Sequence, residues 1–154
     1  MAVAQDAQPT TRAQSAQATL NGKTIDLAKG WQGADVCEVT AGATTCWDRE
    51  TAGTRAQKNE FALKYKCNKG WVCLYDEKKL KGRMLRFNDG GWNNLGKFGF
   101  NNKMSSLWNR QSGWGSRAWF STKSSGRGTQ WYYDPGKVTT MSKNYDDKAN
   151  SVYP

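Results

Sequence analysis

The chain contains no histidine. That removes Ser-His-Asp and Cys-His catalytic arrangements, and it leaves no imidazole to serve as a general base near neutral pH. It also removes a mixed Cys/His zinc site, and the four cysteines fall as C-x8-C and C-x5-C, which is not zinc spacing. No apolar run approaches the roughly 18 residues that a membrane-spanning helix needs. The start, Met1-Ala2-Val3-Ala4, lacks the basic and apolar regions of a signal peptide and reads as a mature chain with an added Met. The acidic residues lie in hairpins and charged loops, and none sits in an apolar context that would raise its pKa for acid-base work. These absences argue against an enzyme.

What is present points to a small, wet β protein. The 154 residues can bury one adequate core. Mean hydropathy is −0.85, yet there are 8 Trp, 6 Tyr and 5 Phe, so the core is expected to be built from a few large rings. Lys and Arg number 23 against 13 acidic residues, a net charge of +10. That charge favours solubility and loose attraction to anionic surfaces. Nucleic acid is not expected as a partner, because no helix-turn-helix, zinc-finger or RNP-type sequence accompanies the basic residues. Four cysteines in a loop-rich chain of this size predict two disulfides and a secreted, extracellular setting.

The chain repeats itself. The stretch 72–109, VCLYDEKKLKGRMLRFNDGGWNNLGKFGFNNKMSSLWN, is echoed over 117–154 at an offset of 45 residues. Tyr75 then aligns with Phe120, Asp89 with Asp134, Gly91 with Gly136, Asn102 with Asp147 and Ser106 with Ser151. Each copy alternates short β-prone clusters with Gly, Asn and Asp. Each places an aromatic before a polar arch and a glycine, Tyr75-DEKKLK-Gly82 and Phe120-STKSSGR-Gly128, and later a polar turn, NNKMSS (101–106) or DDKANS (146–151). Four short strands per copy describe a Greek key, and two copies make an all-β sandwich.

The first half is read more coarsely. Residues 1–17 hold no aromatic, Leu or Ile and are expected to form a disordered N-terminal arm. Residues 18–66 are expected to form a β-hairpin extension, with Asn21-Gly22 as a tight turn. In VCEVTAGATTCW, a two-residue turn at Ala41-Gly42 sets Cys37 opposite Cys46 on a non-hydrogen-bonded pair, where side chains lie closest. That predicts the disulfide Cys37–Cys46 and leaves Cys67–Cys73 as the second. Asp48 to Lys58 is read as a short helix or loop. Phe61, Leu63 and Tyr65 alternate with polar residues and predict a half-buried strand, leading into a tight hairpin at Cys67-NKGWV-Cys73. Trp114, between the copies, is either a core plug or an exposed contact.

An aromatic, a polar arch and a Gly, followed by [N/D][N/D]xx[S/T]S, resembles the βγ-crystallin Greek-key signature. CNKGWVCLYDEKKLKGRMLRF with NNKMSSLWNR further resembles the secreted bacterial peptidase inhibitors of that fold. The resemblance covers 67–154, a βγ-crystallin-like domain, and is looser in the second copy, where Gly128 comes one residue late and Asn150 replaces a Ser or Thr. It implies that the polar turns donate oxygens to calcium, each site completed by the arch of the opposite copy. The candidate ligands are Asn101, Asn102 and Ser105 in one turn, Asp146, Asp147 and Asn150 in the other, and Asp76 and Glu77 in the acidic arch. Asp146 and Asp147 would carry the better site. No cofactor is required, and any calcium would bind weakly. The plainer reading is that these lysine-rich turns simply close the Greek key, with Ser106 and Ser151 bonded to the arches.

The resemblance also implies a protease or protease-like partner. The family's reactive loop matches no position here residue by residue. Rigid, disulfide-framed loops lose least entropy on binding, which makes Ala41, Gly42, Lys69, Gly70 and Trp71 the candidate contacts, with Trp114 beside them. Trp71 is either an anchor or a core residue against Tyr65. Two alternatives follow from resemblance alone. One is an adaptor linking a protease-like lectin subunit to the stalk of a secreted toxin particle, and the other is a killer-toxin-like antimicrobial protein.

Overall fold

The computed structural model describes residues 15–88, 90–113 and 115–154. The expected arm therefore lies outside the described residues except for its last three positions, and so do Asp89 and Trp114. Those last positions are ordered. Ala16 is buried, its N–H donates to Lys97 O (2.7 Å), and its carbonyl accepts from Leu27 N (3.0 Å). The boundary at residue 17 is thus corrected: packed structure has begun by Ala16.

The second half is a pair of Greek keys. The first copy supplies β5 (Val72–Glu77), β6 (Lys81–Phe87), β7 (Asn93–Asn94) and β8 (Ser106–Asn109), and the second β9 (Ala118–Ser121), β10 (Gln130–Tyr133), β11 (Val138–Thr140) and β12 (Ser151–Tyr153). The copies exchange their third strands. β11 pairs with β8 in the first copy's sheet, and β7 pairs with β12 in the second's. Each half thereby completes the other, and the core lies between the sheets. Leu74, Leu85, Phe87 and Leu107 face Phe120, Trp131 and Val152 there, all buried.

The register corrects the repeat. Leu74, not Tyr75, shares its inward position with Phe120, and Gly82 corresponds to Gly128, an offset of 46 residues. Val138 opposite Trp108 matches the place of Trp92 beside Tyr153, so the offset of 46 persists through the third strands. Only the final turn and strand return to 45. One residue fewer separates β11 from β12 than separates β7 from β8.

The first half forms β-hairpins as expected, and they continue one sheet rather than sitting apart from it. β3 (Val36–Thr40) pairs parallel with β6, followed by β4 (Ala43–Trp47), β1 (Gln17–Leu20) and β2 (Lys23–Asp26), giving an eight-stranded sheet. The β3–β4 register sets Cys37 opposite Cys46, with Cα atoms 4.1 Å apart and a disulfide between them. Ala41 takes φ 50° and Gly42 φ 78°, the left-handed pair that a type I′ turn demands.

The expected strand at 61–65 is a helix. α1 (Arg55–Lys64) starts in a capping box: Gln57 N donates to Thr54 Oγ1 (3.1 Å), and Thr54 N donates to Gln57 Oε1 (3.0 Å). Phe61 and Tyr65 are four apart and stack with centroids 5.7 Å apart, while Leu63 between them is exposed. The apolar spacing that mattered was four, not two. α1 covers the outer face of the large sheet, over Val36, Cys73, Tyr75 and Met84. Cys67 to Trp71 is a loop rather than a hairpin, closed by the Cys67–Cys73 disulfide and a turn in which Trp71 N donates to Asn68 O.

Candidate functional site

The strand directions put the two sets of candidate residues at opposite ends of the large sheet. β3 and β6 run parallel and end near Ala41 and Asn88, where antiparallel β5 begins and β8 ends. The hairpin tip Ala41-Gly42 and the loop Lys69-Gly70-Trp71 therefore share one end. The arches and the turns 101–105 and 146–150 occupy the other.

At the arch end the two halves repeat one hydrogen-bond scheme. Ser106 Oγ donates to Glu77 O (2.6 Å) and accepts from Leu80 N (2.9 Å). Ser151 Oγ donates to Lys123 O (2.7 Å) and accepts from Gly126 N (3.1 Å). Each serine is buried and ties an arch to its own last strand. Asn102 and Asp147 hold φ 56° at equivalent places in their turns, a conformation that Asn and Asp tolerate better than most residues. The turns also touch each other. Ser105 Oγ donates to Asp147 Oδ1 (3.1 Å), and Asn150 Nδ2 donates both to Asn102 Oδ1 (3.0 Å) and to Thr122 O (2.6 Å).

This arrangement is a poor fit for tight calcium binding, which wants six to eight oxygens. Around Asn102, the two oxygens that would face a cation already accept from the Asn150 amide, which stands where a hydroxyl is expected. Around Asp147, one carboxylate meets one hydroxyl. Asp76 is engaged elsewhere, accepting from Arg83 N (2.8 Å) and Arg83 Nε (2.7 Å). The Glu77 carbonyl is held by Ser106, and Asn101 is exposed. Among the described residues, no group of three or more acidic, Cys or His side chains converges on a point. One feature favours a ligand: Asp146 Oδ1 is buried without a hydrogen-bond partner.

The loop end is cross-braced. Gly70 N donates to Arg110 O and Arg110 N to Trp71 O, both at 2.8 Å, and Arg110 Nη1 donates to Cys67 O (2.9 Å). With the Cys67–Cys73 disulfide, these bonds fasten the loop to the strand beyond β8. Lys69 and Gly70 stay exposed at its tip, as do Ala41 and Gly42 at theirs. Trp71 is half-buried, and the Arg86 guanidinium lies 4.3 Å from its ring centroid. Its surroundings are those of a cover over the sheet more than of a free anchor.

Sequence reasoning missed what lies beneath. Arg86 is 2% exposed; it donates to Glu38 Oε1 (2.6 Å) and Lys66 O (2.9 Å). Glu38 and Arg86 are direct partners in the β3–β6 register, so this ion pair fastens the extension to the Greek keys. No sequence signal linked them, because the pairing joins strands nearly 50 residues apart (48 residues). Nearby, burial pushes the Tyr65 and Tyr75 phenols above their ordinary range. Tyr65 donates to Gly82 O. Tyr133, in the core between the sheets, is also raised by burial.

Residues 62–116 match the model of peptidase inhibitor family I36, about a third of the chain, and this span runs from α1 through β8 to the loop end. Among solved structures, the chain is similar to a βγ-crystallin domain from Clostridium beijerinckii, with 21% identity, TM-score 0.45, and 53% of this chain and 93% of that one covered. It is similar likewise to the βγ-crystallin from Ciona intestinalis, with 21% identity, TM-score 0.45, and coverage of 55% and 98%. A third is the N-terminal domain of protein S, with 13% identity, TM-score 0.44, and coverage of 54% and 92%. No curated protein sequence matches. The span 62–116 is of peptidase-inhibitor type, and a protease-inhibitor-type binding role is supported.

Proposed function

We propose that this is a secreted, non-enzymatic binding protein that recognises a protease or a protease-like domain through the loop end of its large sheet. The observation that carries the reading is the family match over 62–116, which takes in the fastened loop Cys67–Cys73 and its Arg110 brace. The physics supports the same place. A loop held by a disulfide and three hydrogen bonds has little conformational freedom left to lose on binding. Lys69 and Gly70 are exposed there. The absence of histidine and the pairing of all four cysteines support a non-catalytic role, since the usual base and nucleophile are missing. The two disulfides support an oxidising, extracellular setting.

The test is stoichiometric inhibition. Secreted serine and metalloproteases are titrated with the intact chain, and loss of activity is followed. The reading predicts saturation near one to one with at least one enzyme, and marked weakening by Lys69→Glu at unchanged melting temperature. Cleavage of a protease substrate by the purified chain itself would contradict it.

A further inference from the structure

The outer face of the small sheet carries a row of aromatic rings that the loop end leaves unused. Tyr132 of β10 is the register partner of Trp119 on β9, and Trp119 is the partner of Tyr153 on β12. Trp92, just before β7, continues the row: Val152 pairs with Asn93, and the Trp92 and Tyr153 ring centroids are 5.6 Å apart. One ring per strand thus crosses the whole sheet. Their chain neighbours Ala118, Phe120, Trp131 and Val152 point into the core, which turns these positions outward. Tyr132 and Tyr153 are 42% and 41% exposed. Trp119 and Tyr132 lie 4.8 Å apart, and the Arg117 guanidinium sits 4.2 Å from the Tyr132 ring centroid while paired with Asp134. Trp92 rests on Gly126, where any Cβ would come within 2.3 Å of the indole.

The fold does not require this row. The corresponding positions on the large sheet are Arg86, Cys73, Trp108 and Val138. Arg86 and Cys73 there are buried beneath Trp71, α1 and the Cys67 loop. The half without such a cover is the half with four rings. On either side of Gly126, Ser125 and Arg127 wall a groove with Asn94, Lys97, Asn101 and Asn150, and none of its described lining residues is acidic.

The geometry points to a glycan-binding face for an anionic polysaccharide, a role beyond protease recognition. Sugar rings present C–H faces that suit the negative face of an aromatic ring. The row spans about three inter-strand spacings, ~14 Å, enough for a short run of sugars. It is one residue wide, a narrow strip rather than the broad patch of a stable protein interface. The groove's amides and hydroxyls match sugar hydroxyls, while Lys97 and Arg127 match a carboxylate or phosphate on the chain. The net charge of +10 adds long-range attraction of the right sign.

The test titrates the full chain at about 0.15 M salt with a polygalacturonate oligomer, a polyol-phosphate teichoic acid, neutral dextran, polyglutamate and a single-stranded oligonucleotide. Binding is read by tryptophan fluorescence and calorimetry. The expected result is saturable binding to the carboxylate or the phosphate glycan, whichever arm responds, and weaker binding to dextran. Tyr132→Ala and Trp119→Ala should each weaken it roughly tenfold, and Lys97→Ala with Arg127→Ala should weaken it further. Tyr132→Ala, on an exposed ring, should keep the melting temperature and any protease affinity. No glycan binding at millimolar concentration would overturn the proposal. So would equal or tighter binding of polyglutamate or the oligonucleotide, or a Tyr132→Ala variant that loses protease binding and keeps glycan binding.

Discussion

At the scale of single residues, a few buried polar groups matter most. Arg86 is a charge sealed beneath Trp71 and matched by Glu38. Glu38→Ala should lower stability by about 3 kcal/mol, because it strands a buried guanidinium, whereas replacing both partners by apolar residues should cost much less. Denaturant unfolding of the two variants checks this, and equal losses in both would contradict it. Tyr75 and Tyr65 give a pH dependence. Their folded pKa values lie above the unfolded value, so the unfolded chain releases those protons first. Their contribution is full below about pH 10 and falls as pH rises beyond it. Tyr75→Phe should therefore flatten the alkaline loss of melting temperature. At the polar turns, Asn150 already fills one candidate cation position. Calorimetry should find no tight calcium site. Any weak binding should disappear with Asp147→Ala and survive Asn102→Ala; the opposite pattern would move the site to the other turn.

At the scale of elements, what could be read from sequence was local, and what could not was long-range. The Cys37–Cys46 register followed from a two-residue turn, since pairing next to a tight turn is set by that turn. The two Greek keys were visible because each puts its glycines and polar turns at nearly the same spacing. Their alignment was off by one through the first three strands, because Tyr75 and Phe120 look alike but face opposite sides of their sheets. α1 was hidden because Phe61, Leu63 and Tyr65 mimic a strand, while its real signal, Thr54 three residues before Gln57, lies upstream. Thr54→Ala should cost about 1 kcal/mol, measured by thermal unfolding, and should loosen the cover over Tyr75. The parallel join of β3 to β6 had no signal at all. It depends on tertiary contacts such as the Glu38–Arg86 ion pair and the hydrogen bond from Met84 N to Asp35 O (3.0 Å). The tie across the Cys67–Cys73 loop was legible from its two cysteines, but the Arg110 brace was not.

At the scale of the whole molecule, the eight-stranded sheet separates three regions. The arch end closes the fold, the loop end is braced and partly bare, and the small sheet shows its aromatic row. A partner that closes on the loop end need not disturb the row, so the two surfaces are independently testable. Protease recognition by the loop end is the proposal that matters most at this scale. It is tested most directly by immobilising the intact chain, passing native culture medium over it, and identifying what is retained by wild type but not by Lys69→Glu. The expected result is a protein with a protease fold, active or inactive, retained near one to one and lost with the variant. Retention of proteins without such a fold, equally by both chains, would contradict it.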